Sequence, residues 1–162
     1  DIILSYTNLR CDDKNEVSEK DISEIITLRN KLRAYYGKHT YLNGREEVKN
    51  ISPTDTLISK IMLGTLGCVP AFDRLFIDGA KLEEESFVSF SDKNIKTLFT
   101  FIEANKSELI AIQTKITAET DAGHLPIFKI IDMYFWKLGY DREVELGTEK
   151  KRLEKLNKQK QD

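Results

Sequence analysis

The amino-acid sequence predicts an all-α fold: a single-domain helical bundle of about six to seven helices with a central apolar helix. Three observations favour it. The chain has 162 residues, of which 40% are hydrophobic and 32% charged, as is typical of one globular domain. Apolar residues recur at helical spacing in several segments, whereas the patterns of strands are weak. The segment 126–138 is apolar nearly all round, as expected of a helix that the others pack against.

The first helix is predicted to begin after Ser18. Ser18 and Asp21 have the spacing of a capping box, with the carboxylate near the positive end of the helix dipole. Apolar residues then recur at helical spacing until Gly37, which is a typical helix stop. Residues 38–51 are predicted to follow as a polar loop.

The next two helices flank the stretch GTLGCVPAFDRLF, residues 64–76. Ser52 is expected to cap the first of them, and Gly67 is placed to end it in a left-handed conformation. Pro70 can then lie in the first turn of a second, short helix that Gly79 ends. The stretch is therefore predicted to be a tight corner between two helices.

Gly64 is unusual because it lies inside the first of these two helices. A glycine in a helix interior costs about 1 kcal/mol relative to alanine. Its presence therefore suggests that another helix or a ligand approaches the backbone closely at this point. Phe72, Leu75 and Phe76 are expected to fill the core beside it.

The second half of the chain is also predicted to be helical. Residues 87–90 fit either one short strand or an extended connection, and Ser91 is expected to cap the helix that follows. The helical spacing continues far enough that one long helix and two helices joined near Asn105 both fit.

The helical domain is predicted to span residues 1–147. Gly139 is expected to end the central helix, and a polar connection follows it. Residues 148–162 are basic and poor in apolar side chains, which indicates a polar basic C-terminal tail or a terminal helix.

Composition restricts the class of function. The formal net charge of −2 creates no overall field that would attract nucleic acid or anionic lipid. The sequence has no apolar run of membrane-spanning length and no signal-peptide pattern, so we expect a cytoplasmic protein without a membrane partner. Two cysteines and two histidines lack the spacing of a zinc site, and no nucleotide-binding or hydrolase motif is present. We therefore expect neither a metal nor a cofactor.

Asp73 is the first candidate for catalysis. It falls in the first turn of the predicted short helix, where the helix dipole favours a carboxylate. An Asp at a rigid corner could also act as a general base or hold a cation. The stretch resembles the corner of helical DNA-repair glycosylases, which place a catalytic Asp shortly after a glycine-containing helical corner and a proline. That resemblance implies catalysis by Asp73, with Lys60 placed where a lysine could assist.

Asp132 is the second candidate, because it lies midway along the most apolar helix. A buried carboxylate must find a partner, and Lys129 lies three residues before it. Asp132 is therefore either a structural hydrogen-bond or ion-pair anchor, or, if it meets Asp73 in space, one half of an acid–base or metal-binding pair.

The segment RAYYGKH contains the third candidate, the pair Arg33 and His39. Its spacing resembles the ribonuclease motif of HEPN domains, which are helical bundles in which a His and an Arg act on RNA. The resemblance implies catalysis by Arg33 and His39; the alternative is a surface Arg and a loop His. Arg29, Arg33 and Lys38, interleaved with Tyr36, also form the best local patch for binding nucleic acid.

Two phrases, GTLGCVPAFDRLF and KIIDMYFW, resemble an uncharacterised group of helical proteins from Gram-positive bacteria. The resemblance implies that the corner and the central helix belong to one packed unit, and it implies no function. Because no complete catalytic constellation is present, the sequence favours an interaction or regulatory module that binds a protein partner. The alternative is a nucleic-acid-binding protein or a nucleic-acid-acting enzyme of HEPN-like or glycosylase-like type, so enzymatic activity stays open.

Overall fold

The structure, a computed structural model, describes residues 2–10, 18–121 and 123–159, with side chains as far as residue 150. The predicted all-α, single-domain bundle is confirmed. The described residues form a short 3₁₀ helix, six α-helices and one two-stranded hairpin. In chain order these elements are the 3₁₀ helix Leu4–Leu9, α1 Glu19–Tyr36, β1 Thr40–Leu42, β2 Val48–Asn50, α2 Asp55–Leu66, α3 Arg74–Leu82, α4 Asp92–Ala104, α5 Lys106–Glu119 and α6 Ile127–Gln159.

Several helix ends follow the predicted local signals. The Ser18 hydroxyl accepts a hydrogen bond from the Asp21 N–H, and the Asp21 carboxylate accepts one from the Ser18 N–H at 2.9 Å. Gly67 ends α2 with φ 62°, in the left-handed region that suits glycine. Ser91 caps α4, and Asn105 separates α4 from α5, so the region contains two helices rather than one.

Residues 38–51 differ from the predicted polar loop, because β1 and β2 pair as an antiparallel hairpin. All six strand residues are exposed. The turn is held by the Asn43 side chain, whose carbonyl oxygen accepts hydrogen bonds from the N–H groups of Arg45 and Glu47. A hairpin with both faces in water has no alternation of apolar and polar residues, so its sequence resembles a loop.

The corner between α2 and α3 also differs from the prediction. Thr54, not Ser52, caps α2, and either residue satisfies the same capping rule. Pro70 starts no helix. Residues 67–73, which we call the 67–73 connection, contain no regular structure, and α3 begins only at Arg74 with Asp73 as its N-cap.

Gly79 and Gly139 end no helix, contrary to prediction; they lie inside α3 and α6. A Cβ added to Gly79 would overlap the Phe135 carbonyl oxygen, and one added to Gly139 would overlap the Leu75 carbonyl oxygen. The two glycines therefore allow the backbones of α3 and α6 to cross in direct contact. At Gly64, where we expected another helix or a ligand to approach, an added Cβ would meet no other atom within 4 Å, so no helix approaches closely there.

Phenylalanine rings fill the core around this crossing. Phe76 and Phe135 lie edge to face with ring centroids 5.7 Å apart, and Phe87 lies 5.4 Å from Phe135. Phe87 and Phe90 are buried although residues 87–90 form an irregular connection and not a strand. The fully buried aromatic residues are Phe72, Phe76, Phe87, Phe90, Phe128 and Phe135.

Helix α6 continues well beyond this core. It runs through Gly139 to Gln159, so the predicted boundary between residues 147 and 148 falls inside a continuous helix. Residues 142–150 are exposed on every side of the helix. Among the described helices, none combines the length and the apolar character that crossing a membrane requires.

Candidate functional site

An open groove of about 1000 Å³ lies along α6. We call it the α6 groove. One wall is α2, the other is α5, and the 67–73 connection contributes to its floor. Apolar side chains predominate, with two aspartates and three lysines among them. The lining residues are Lys60, Leu63, Gly64, Ala71, Asp73, Ile112, Ile116, Pro126, Lys129, Ile130, Asp132, Met133, Tyr134, Trp136, Lys137 and Leu138.

Asp73 lies in this groove as the N-cap of α3. One carboxylate oxygen accepts a hydrogen bond from the Phe76 N–H at 3.1 Å, and the other lies 3.1 Å from the Lys60 ammonium. Both oxygens are therefore engaged. The carboxylate caps α3 by accepting a hydrogen bond from one of its first N–H groups, and its charge is favoured by the helix dipole. This agrees with the structural role that the sequence suggested for it.

Asp132 lies in the same groove, and its side chain is buried. Its Oδ1 accepts a hydrogen bond from the Ala71 N–H at 2.9 Å, and its Oδ2 lies 2.9 Å from the Lys129 ammonium. The prediction that a buried Asp132 would need a partner, with Lys129 nearby, agrees with this geometry. Asp132 thus fastens α6 to the 67–73 connection.

The 67–73 connection explains why polar groups are buried here. Its backbone is buried but makes no helix or strand, so side chains supply several of its hydrogen bonds. The Ser59 hydroxyl accepts from the Phe72 N–H, and the Thr56 hydroxyl donates to the Phe72 carbonyl, both at 2.9 Å. Together with the bond from Ala71 to Asp132, these contacts anchor the corner to α2 and α6.

In both ion pairs of the α6 groove, the ammonium group is more exposed than the carboxylate. The Asp73 and Asp132 side chains are only 16% and 8% exposed, whereas the Lys60 and Lys129 side chains are 55% and 39% exposed. A third ammonium, that of Lys137, is more exposed still. The ammonium groups are therefore the more accessible charges of the α6 groove, and each is paired with an aspartate.

Arg29 and Arg33 lie outside the α6 groove and share one carboxylate. Both guanidinium groups approach Asp55 at 2.8 Å, and the Arg29 guanidinium also lies 5.2 Å above the Phe90 ring. The cluster joins α1 to the start of α2. Both arginines of the predicted nucleic-acid patch are thus engaged in contacts within the protein.

His39 and its neighbours form a separate exposed cluster. The His39 Nδ1 lies 2.9 Å from the Tyr35 carbonyl oxygen, and its ring packs against Tyr35 and Tyr36. Lys38 is exposed beside them. Arg33 faces Asp55 and His39 faces the end of α1, and neither lines the α6 groove, so the structure unites Asp73 with Asp132 in one cavity but joins neither to the Arg33–His39 pair.

A smaller cavity of about 260 Å³ borders the α6 groove between the end of α3, α5 and α6. Burial raises the pKa of Glu85 in it, and the charge of Glu83 adds to the effect. Burial likewise raises the pKa of Tyr134, helped by Glu83 and Glu108. Among the residues that the structure describes, no group of three or more His, Cys, Asp or Glu is arranged to hold a metal.

No family model, curated protein or solved structure matches the chain. The geometry of the α6 groove is therefore the basis for a functional assignment. The apolar lining of that groove, including Ile112 and Trp136, was not predicted. The signal was present in the sequence, since a helix that is apolar on all sides has more apolar surface than one neighbouring helix covers.

Proposed function

We propose that the protein is an interaction or regulatory module that binds a partner protein in the α6 groove. The observation that carries the proposal is the exposed apolar surface of the groove. Met133, Trp136 and Ile112 are 44%, 38% and 38% exposed, and all three line this one groove. Contiguous apolar surface with polar groups around it is typical of protein-binding sites.

The burial and the contacts of Asp73 and Asp132 support a binding role for the groove rather than catalysis. A general base must present a carboxylate oxygen to the substrate, and the Asp73 and Asp132 side chains are only 16% and 8% exposed. Asp73 and Asp132 each use one oxygen for a backbone N–H and the other for a lysine. We place the module in the bacterial cytoplasm, on the resemblance of its two phrases to bacterial helical proteins.

Site-specific photo-crosslinking tests the proposal. A photoreactive diazirine analogue of similar size replaces Met133, in the α6 groove, or Leu146, on the exposed part of α6, in cells that contain the protein naturally. The two side chains are 44% and 48% exposed, so both variants should fold. We expect discrete protein adducts from position 133 and few from position 146. Equal labelling from the two positions, or none from position 133, would contradict the proposal.

The alternative function, binding or processing of nucleic acid, retains one supporting observation: Asp73 and Asp132 share a groove with three lysines. If it holds, the protein binds labelled single-stranded RNA or DNA with an affinity that falls as salt rises and when Arg29 and Arg33 are replaced. Asp73→Asn would then remove a nuclease or glycosylase activity while preserving the fold. Affinity that is indifferent to salt and to both arginines would end this alternative.

A further inference from the structure

We infer that the partner segment in the α6 groove is an amphipathic α-helix with acidic side chains along the edge of its apolar face. This inference rests on the proposed function and specifies its partner. Three features of the groove carry it: the helical character of its walls, the positions of its exposed lysines, and the empty space at Gly64.

The walls favour a helix over an extended segment. Groove residues come mainly from α2, α5 and α6, whose backbone hydrogen bonds are satisfied within each helix. The 67–73 connection offers little more, since the Ala71 N–H binds Asp132 and the Ala71 carbonyl accepts from the Asp73 N–H. An extended peptide would find no sheet edge to join, whereas a helix brings its own backbone hydrogen bonds.

The lysines determine the charge of the partner. Lys60 projects from α2, and Lys129 and Lys137 project from α6. Each ammonium contacts one aspartate of this chain, and an ammonium has three donors, so donors are left for a carboxylate of the partner. Because the Asp73 and Asp132 side chains are less exposed than those of their lysine partners, a helix lying in the groove meets the ammonium groups first.

The spacing of the lysines favours a peptide over a lipid-like anion. Lys129 and Lys137 are eight residues apart in α6, which corresponds to about 12 Å along the helix axis. The single head group of a fatty acid reaches only one of them. A helix with carboxylates two turns apart reaches both, and the apolar side chains between them can contact Met133 and Trp136.

Gly64 provides the space for an anchoring side chain. An added Cβ there would meet no other atom within 4 Å, and the residue lies in the groove wall. A large apolar side chain of the partner could therefore pack directly against the backbone of α2. Gly64→Leu would fill this space without disturbing the fold, and Gly147→Leu makes the same change on the exposed part of α6.

A display library of helix-forming peptides of about 18 residues, or five turns, tests the inference. The apolar and edge positions are randomised, and peptides are selected on the intact protein and counter-selected on Gly64→Leu. We expect enriched sequences to carry Asp or Glu about two turns apart beside an apolar face. Enrichment of basic or uncharged edges would overturn the acidic inference, and enrichment of proline-containing extended segments would overturn the helix.

A matched peptide pair then measures the charge effect. One enriched peptide is compared with its version in which each edge Asp or Glu becomes Lys, by isothermal titration at about 50 mM and about 500 mM salt. We expect the acidic version to bind at least about ten-fold more tightly at low salt, with a smaller difference at high salt. Lys137→Glu should weaken it about ten-fold, whereas Lys150→Glu, outside the groove, should not.

The outcomes separate the inference from the proposed function. Equal binding of both peptides, lost in Gly64→Leu, would overturn the acidic partner and leave the groove as a protein-binding site. Saturable binding of oleate at one per chain, with no peptide enriched, would overturn the helical partner in favour of a lipid. The crosslinks from position 133 test the proposed function independently, because they require no assumption about the partner.

Discussion

Two faces of α6 are apolar, but one is buried against α3 and the other is exposed in the α6 groove. On one face, Gly79 and Gly139 bring α3 into backbone contact, and phenylalanine rings fill the space around the crossing. On the other face, Met133 and Trp136 remain exposed in the α6 groove. Apolar character alone therefore does not distinguish a core face from a binding face. The difference lies in which neighbours can approach, and at the crossing that depends on two missing side chains.

The largest effect should come from adding a side chain where α3 and α6 cross. In Gly79→Ala or Gly139→Ala, the new methyl group would overlap a backbone carbonyl, which cannot move aside as a side chain can. We expect a loss of at least about 3 kcal/mol in the free energy of unfolding, or no folded protein. Urea unfolding followed by circular dichroism measures it.

Gly147→Ala is the matched control for this prediction. Its methyl group meets no other atom within 4 Å, so we expect a gain of up to about 1 kcal/mol from higher helix propensity. If Gly79→Ala proved as stable as Gly147→Ala, the direct contact between α3 and α6 would be refuted.

The next effect concerns the fastening of the groove floor. Asp132→Ala leaves the buried Ala71 N–H without its acceptor and removes the partner of Lys129, so we expect a loss of about 2–3 kcal/mol. Asp132→Asn can still accept from Ala71 and should lose less. The exposed ion pair of Lys137 supplies the control, because Asp141→Ala should cost less than about 1 kcal/mol. Similar losses for Asp132→Ala and Asp141→Ala would contradict the anchoring role.

Asp73 should have a smaller effect and also distinguishes structure from catalysis. Asp73→Ala removes the N-cap of α3 and should cost about 1 kcal/mol, whereas Asp73→Ser restores a capping oxygen and should recover most of that loss. Thermal unfolding compares the three proteins. A nucleic-acid-processing activity that disappears in a fully stable Asp73→Ser protein would instead favour the enzymatic alternative.

The smallest effect lies in the cavity that borders the groove. Burial raises the pKa of Glu85 above its ordinary value of 4.5, so folding disfavours the ionised form. The resulting contribution to stability is complete below that ordinary value and is lost as pH rises through the folded pKa. Glu85→Gln should therefore be more stable than the parent near about pH 7 and equal to it near about pH 4. The exposed Glu119→Gln is the control, and a gap of the same size at both pH values would refute the prediction.

Local signals made part of the fold predictable. The capping box at Ser18, the left-handed Gly67 and the cap at Ser91 each depend on residues within a turn of the helix end, and each was predicted. Gly79 and Gly139 were wrongly expected to end helices. A glycine allows either a helix end or the close approach of another helix, and which of the two occurs depends on a partner far away in the chain.

The candidate site was predictable to a lesser degree. Asp73 and Asp132 stood out because a carboxylate at a corner or in an apolar helix needs an explanation, and the structure places both in one groove. The hydrogen bond from the Ala71 N–H to Asp132 could not be predicted, since it depends on where the 67–73 connection lies. The bond from the Phe76 N–H to Asp73, by contrast, is a local cap. The walls of the groove come from helices separated in sequence, so only tertiary packing assembles them.

Trp136 is the only tryptophan of the chain, and it stands at the α6 groove, stacked on Tyr140 with ring centroids 5.2 Å apart. An indole that loses contact with water emits at shorter wavelength. Occupation of the groove would therefore change the tryptophan fluorescence of the native protein. In Trp136→Phe, that change would be absent. The molecule carries its own optical reporter at the place where its function is proposed.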